Sequence, residues 1–237
     1  MRYLFILLAL VAAYLAFETA RSVSFIRISA RLISEAKPFE KASGTRSMLV
    51  LGDSTAVGVG APSDGTVAGR LSAALDASVE NYAVSGAQTR DLKGQIDRAK
   101  KSSYDLILVH IGANDIIRFH SVKDTSALLD ESLARLRGKS EHVVLLTAGK
   151  VGKAPFFPHG LGWIWTVRSK ALRSSFMPVA EKNGVAYVDL YTMPDPFNAD
   201  PDRYYAPDGL HLTGDGYGFW YEATQAEMEK KWPDLLR

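Results

Sequence analysis

Residues 106–109 read Leu-Ile-Leu-Val, an unbroken apolar run. A strand of this kind has no polar face to offer water, so both its faces must be covered. Further segments that read as strands lie at 48–51, 79–84, 143–147 and 185–190, those at 48–51 and 143–146 as wholly apolar runs. Between them lie stretches of helical character at 67–75, 89–100, 125–136 and 167–183, and a last helix is expected over 214–231. Alternating buried strands and helices imply a parallel sheet between two helical layers. The expected fold is α/β: a three-layer α/β/α sandwich on a mainly parallel five-stranded sheet, preceded by an N-terminal hydrophobic helix. At 237 residues and 47% apolar content, the chain can bury one substantial core.

Ligands of such sheets bind outside the carboxyl ends of the strands. Gly52-Asp53-Ser54 follows the first strand and Asn81-Tyr82-Ala83-Val84-Ser85-Gly86 the second. Gly112-Ala113-Asn114-Asp115 follows the third, and Asp208-Gly209-Leu210-His211 precedes the last helix. Ser54, Gly86 and Asn114 thus fall at strand ends. A serine hydroxyl is a weak nucleophile without an adjacent base. His211 is the candidate base, and Asp208, three residues before it, is the candidate to orient its ring. Plainer roles stand beside these. Ser54 reads equally as a helix N-cap. Asn114 and Asp208 read as turn formers, and His211 as a structural histidine. The remaining histidines, His110, His120, His142 and His159, lack the Asp-x-x-His context and read as structural.

In this order the four motifs resemble the blocks of the SGNH (GDSL-type) hydrolase family, over roughly residues 48–221. The resemblance implies a flavodoxin-like sandwich and a Ser54-His211-Asp208 triad. It also implies an oxyanion hole made of the Ser54 and Gly86 N–H groups and the Asn114 side chain. Donors aimed at the developing oxyanion are what acyl transfer requires. The implied function is a serine esterase, needing no cofactor and no metal, that hydrolyses carboxylic esters of lipids, lysophospholipids or small acyl groups through an acyl-enzyme. An O-acetyl-sugar esterase and an acyltransferase stay open as alternatives, and a non-catalytic binding module is a more distant one. Asp53, Asn81 and Asp115 are expected to hold their loops rather than touch substrate.

The segment 153–165, Lys-Ala-Pro-Phe-Phe-Pro-His-Gly-Leu-Gly-Trp-Ile-Trp, follows the fourth strand. Phe156, Phe157 and Trp163 in it, with Tyr205, are candidates to line an acyl pocket; the alternative is a loop buried against the domain or a membrane. The net charge of +2 is uneven, with residues 1–46 carrying +4 and the rest −2. The near-neutral remainder offers no basic face for nucleic acid. The absence of cysteine excludes disulfides and thiol chemistry.

Residues 3–17 are an unbroken apolar run behind Arg2. We read 1–20 as a membrane anchor or signal segment, 21–45 as an amphipathic linker and 46–237 as the hydrolase domain. An uncleaved anchor is favoured because no small-x-small cleavage site follows. Within 23–36, Phe25, Ile28, Leu32, Ile33 and Ala36 share a helical face, suited either to a membrane surface or to docking on the domain. Three arginines behind the apolar run would place the domain in the cytoplasm by the positive-inside rule, whereas a short N-terminal run of this kind also begins exported proteins. We expect a membrane-anchored or exported protein, on the extracytoplasmic side. The sequence leaves the oligomeric state open.

Overall fold

In the computed structural model, which describes residues 1–194 and 196–235, the sheet is built from five strands: β1 (Arg46–Gly52), β2 (Ala77–Asn81), β3 (Leu106–His110), β4 (Val143–Leu146) and β5 (Ala186–Val188). Their order is β2-β1-β3-β4-β5, and every neighbouring pair is parallel. The helices, in chain order, are α1 (Arg2–Glu35), α2 (Ser54–Val57), α3 (Val67–Leu75), α4 (Leu92–Asp97) and α5 (Ala113–Ile117). They continue with α6 (Val122–Arg137), α7 (Trp163–Lys182), α8 (Pro201–Tyr204) and α9 (Gly214–Lys231).

Pleating sends alternate residues of each strand to opposite layers. Leu49, Leu51, Ile107 and Val109 pack with Leu92 and Ile96 of α4, Leu133 of α6 and Phe176 of α7. Met48, Val50, Leu106 and Leu108 pack on the other face with Leu71 of α3 and Tyr217 and Met228 of α9. The central strand β3 is wholly buried. Each buried Leu, Ile or Phe contributes roughly 1.5–3 kcal/mol, which is why the continuous apolar runs dictate this sandwich.

The five strands and the sandwich agree with the expectation; the ends differ. β2 runs over Ala77–Asn81, because Asn81 turns its side chain to local work, donating to Ala56 O and accepting from Ala83 N. The helix expected over 89–100 is a 3-10 turn at Thr89–Asp91 followed by the short α4. α7 begins at Trp163, inside the segment read as loop.

α1 is one continuous helix of 34 residues. It ends at Glu35; Ala36 is already extended, and Lys37, the residue before Pro38, is disfavoured in the helical conformation. Residues 1–17 stand exposed, whereas Phe25, Ile28, Ser29 and Leu32 are half-buried. The 23–36 face therefore docks on the domain, the second of the two roles its amphipathicity allowed.

Candidate active site

The strand order reverses between β1 and β3, since the chain goes outward to β2 after β1 and returns on the other side. Such a switch point opens a crevice at the carboxyl ends of the two strands. Ser54 follows β1 and Asn114 follows β3, so they flank it. A cavity of about 350 Å³ opens there, lined by Ser54, Gly86, Asn114 and His211 together.

The turn that presents Ser54 depends on two neighbours. Gly52 has φ +139°, and a Cβ there would lie 1.9 Å from His110 O, so no other residue fits. Asp53 caps α2, its Oδ1 accepting from Thr55 N at 2.9 Å and Thr55 Oγ1 at 2.8 Å. Burial raises the Asp53 carboxyl to about 6, against the opposing pull of the Thr55 bonds. The buried side-chain amide of Gln95 on α4 clamps the end of β1, bonding Gly52 N at 2.7 Å and Gly52 O at 2.9 Å. Nothing local in the sequence marks Gln95, since its partner lies 43 residues away.

Asp208 and His211 sit in the loop before α9, both buried. Asp208 Oδ2 lies 2.5 Å from His211 Nδ1, and Asp208 Oδ1 accepts from Leu210 N and His211 N, each at 3.0 Å. Burial works to raise the Asp208 carboxyl; the hydrogen bond and charge of His211 and the two backbone donors outweigh it, and the net direction is down. A carboxylate on Nδ1 directs the ring's other nitrogen, Nε2, away from Asp208.

The three expected oxyanion donors, Ser54 N–H, Gly86 N–H and Asn114 Nδ2, all belong to cavity-lining residues. Asn114 Nδ2 spends one hydrogen on Ala87 O at 3.0 Å and keeps a second. Among the described residues, neither Ser54 N–H nor Gly86 N–H meets a main-chain acceptor. Gly86 has φ +83°, with Arg118 of the cavity rim close by.

The four candidate pocket residues divide. Phe156 and Tyr205 line the cavity. Phe157 is buried beneath, its ring 4.5 Å from that of Trp165. Trp163 lies outside the cavity and is 65% exposed. The remaining wall is largely apolar, with Phe197, Leu210, Phe219 and Trp220 prominent. Asp115 holds its loop, accepting from Thr89 N and Thr89 Oγ1 at 3.0 Å. His110 is buried on β3, and desolvation lowers it to about 3, so it is neutral at pH 7. Among the described residues, no three His, Asp or Glu side chains cluster as a metal site would require.

The wall contributed by α1 was not foreseen. Ser29 and Ile33 line the cavity, and Phe25 stacks on Phe156 with centroids 6.4 Å apart. Arg21 donates to Pro155 O and, at 2.7 Å, to Phe157 O, while pairing with the buried Glu18 at 2.7 Å. Glu18 Oε1 also meets His159 Nδ1 at 2.5 Å. The fastened segment reaches the Asp208–His211 loop directly, Phe156 N donating to Gly209 O at 2.9 Å. A Cβ on Gly209 would lie 3.0 Å from Phe156 N and 3.3 Å from Phe25 Cζ, so glycine permits this close packing. α1, the 155–159 segment and the histidine loop therefore form one mechanical chain.

The chain is also similar to known proteins. A curated GDSL-like esterase of Mycobacterium tuberculosis is 27% identical over 180 residues, covering 72% of this chain and 57% of that protein's length. Among solved structures, phospholipase A1 from Streptomyces albidoflavus NA297 superposes with a TM-score of 0.60 at 21% identity, over 78% of this chain and 100% of that one. Axe2, an acetylxylan esterase from Geobacillus stearothermophilus, gives 0.59 at 19% identity, over 79% and 96%. At these identities the solved structures establish the fold and no more. The sequence profile of the GDSL-like lipase/acylhydrolase family matches residues 50–219, from the last residues of β1 through the Asp208–His211 loop into α9, and the chain belongs to that family.

Proposed function

We propose that this chain is a serine esterase that hydrolyses carboxylic esters through an acyl-enzyme on Ser54. The observation that carries the reading is the Asp208–His211 pair at 2.5 Å beside a cavity that His211 shares with Ser54. In the proposed cycle the Ser54 hydroxyl oxygen attacks the ester carbonyl carbon and its proton passes to His211 Nε2. Asp208, ionised, stabilises the imidazolium so formed. The oxyanion receives hydrogen bonds from Ser54 N–H, Gly86 N–H and Asn114 Nδ2; losing one such donor typically costs about 2.7–4 kcal/mol. Collapse breaks the bond to the alcohol, which leaves with the proton from His211. Water then attacks the acyl carbon as His211 takes its proton; the second tetrahedral adduct collapses, the bond to Ser54 Oγ breaks, Oγ regains a proton from His211, and the free acid leaves.

The apolar wall suits an acyl chain better than the hydroxyls of a sugar, so a lipid or lysophospholipid ester is the favoured substrate over an O-acetylated sugar. Residues 46–237 are the catalytic unit in this reading, 1–20 the membrane segment and 21–45 the connection between them. α1 is long and apolar enough to cross a membrane, with a mean hydropathy of 2.0 in its best window. A retained helix accounts for the contacts of Glu18 with the catalytic part; a cleaved one would remove them. An extracytoplasmic, membrane-anchored location is part of the same proposal.

Replacement of Ser54 by Ala in the full chain is expected to lower kcat/KM for p-nitrophenyl butyrate at least about 10³-fold while leaving thermal unfolding unchanged. Turnover at the wild-type level would overturn the assignment of the nucleophile.

A further inference from the structure

The bare half of α1 ends at a defined place on the catalytic part. Tyr14 Oη donates to His159 O at 2.7 Å, and the Phe17 ring lies 6.2 Å from that of His159. Beyond them Glu18 is buried and the helix meets the domain. Two residues past His159, Leu161 is 42% exposed; Trp163 follows at 65% and Val167 at 60%. Trp163 and Val167 stand one turn apart on the same side of α7. Neither supports the core, and Trp163 has no part in the cavity.

Large apolar side chains left bare next to a bare apolar helix mark a surface with a partner. A tryptophan at the edge of such a helix suits the interface between headgroups and acyl chains, where an amphipathic ring is favoured. Continuity identifies the occupant. Residues 3–17 carry no charge and are exposed all round, and the Leu161–Val167 face starts where that run stops. The cavity is close to this boundary, since Ser29 follows Glu18 by 11 residues, roughly 16 Å along the helix.

We propose that Leu161, Trp163 and Val167 form, with Tyr14 and Phe17, a bilayer-contacting surface that leans the catalytic part onto the membrane bearing α1. The ester taken by the cavity is then a lipid-borne amphiphile; this second half rests on the esterase reading. A second contact beside the helix fixes the tilt of the domain and holds the cavity near the headgroup layer. A single helical tether would leave the domain free to turn away.

The absence of cysteine makes any introduced thiol unique. Full-length Trp163→Cys, Val167→Cys and, as control, Glu222→Cys on the opposite helical layer are labelled with an environment-sensitive dye. Each is reconstituted into phosphatidylcholine–phosphatidylglycerol vesicles containing nitroxide-labelled lipid. Blue-shifted, quenched emission at 163 and 167, with none at 222, is expected. Water-like emission at 163 and 167 equal to that at 222 would overturn the surface. A dimer of the detergent-solubilised protein that dissociates on Trp163→Ser/Val167→Ser substitution would overturn it in favour of a second copy of the chain. In vesicles the same double variant is expected to lose at least 10-fold in turnover of lysophosphatidylcholine, with hydrolysis of soluble p-nitrophenyl butyrate unchanged. Equal effects on both esters would overturn the substrate half. Quenching at 163 without turnover of either ester by the wild type would sustain the surface and overturn the substrate half through failure of the esterase reading itself.

Discussion

Asp208 offers the sharpest test at the scale of single residues, because its bond to His211 Nδ1 is a matter of charge and orientation together. Asp208→Asn keeps the shape but not the charge. It is expected to lower kcat about 10²–10⁴-fold with KM changed little, as measured with a soluble ester; a fall confined to KM would contradict the role. Asp53 makes a separate prediction in stability. Its carboxyl is raised from 3.8 to about 6 by burial, so the native state holds this proton more tightly than the unfolded chain does. The stability it contributes therefore falls as pH rises from about 4 to 6, and the full cost of the buried charge, roughly 3 kcal/mol, is present above that. Asp53→Asn retains an acceptor for Thr55, so its stability relative to wild type should improve between pH 4 and pH 7 in urea unfolding. A difference independent of pH would refute this. The Asp-x-x-His spacing was legible in the sequence because partners three residues apart share one loop. Gln95 was not, because a side chain that clamps a distant strand end leaves no periodic trace.

At the scale of elements, α1 carries the largest departure from expectation. The amphipathic pattern of 23–36 offers an apolar face that fits a membrane surface or the domain equally, and nothing in it points to the cavity, so the sequence supplied the helix and its face but not its contact with the cavity. The docking depends on a few polar groups, Glu18, Arg21 and His159, at the point where the apolar run ends. Arg21→Met removes the donors to Pro155 O and Phe157 O, bonds of a kind worth about 1.5–3 kcal/mol each to a charged partner. Hydrogen exchange in residues 155–160 should accelerate at least 10-fold, with β3 unaffected and kcat/KM reduced several-fold. Unchanged exchange there would show that α1 does not hold this segment. The short helices α2, α5 and α8 were also missed, since helices of one turn follow from tertiary contacts rather than from propensity.

For the molecule as a whole, the sandwich was legible because strands without a polar face have few places to go. The apolar runs that predicted β1, β3 and β4 are those whose residues lie fully buried between the two helical layers. Leu108→Ala, in the middle of β3, should cost about 2–5 kcal/mol in urea unfolding; a loss below 1 kcal/mol would mean the core is less tightly packed than its burial indicates. The parallel order places the ends of β1 and β3 side by side, and this brings Ser54 and Asn114 to one crevice from opposite sides of a 60-residue separation. The central claim is that Ser54 is the group that attacks. It is tested most directly by incubating the full chain with a fluorophosphonate and locating the adduct by peptide mass spectrometry. The account predicts one adduct per chain, on Ser54, with esterase activity lost in proportion. An adduct on another residue, or full inhibition with Ser54 unmodified, would contradict it.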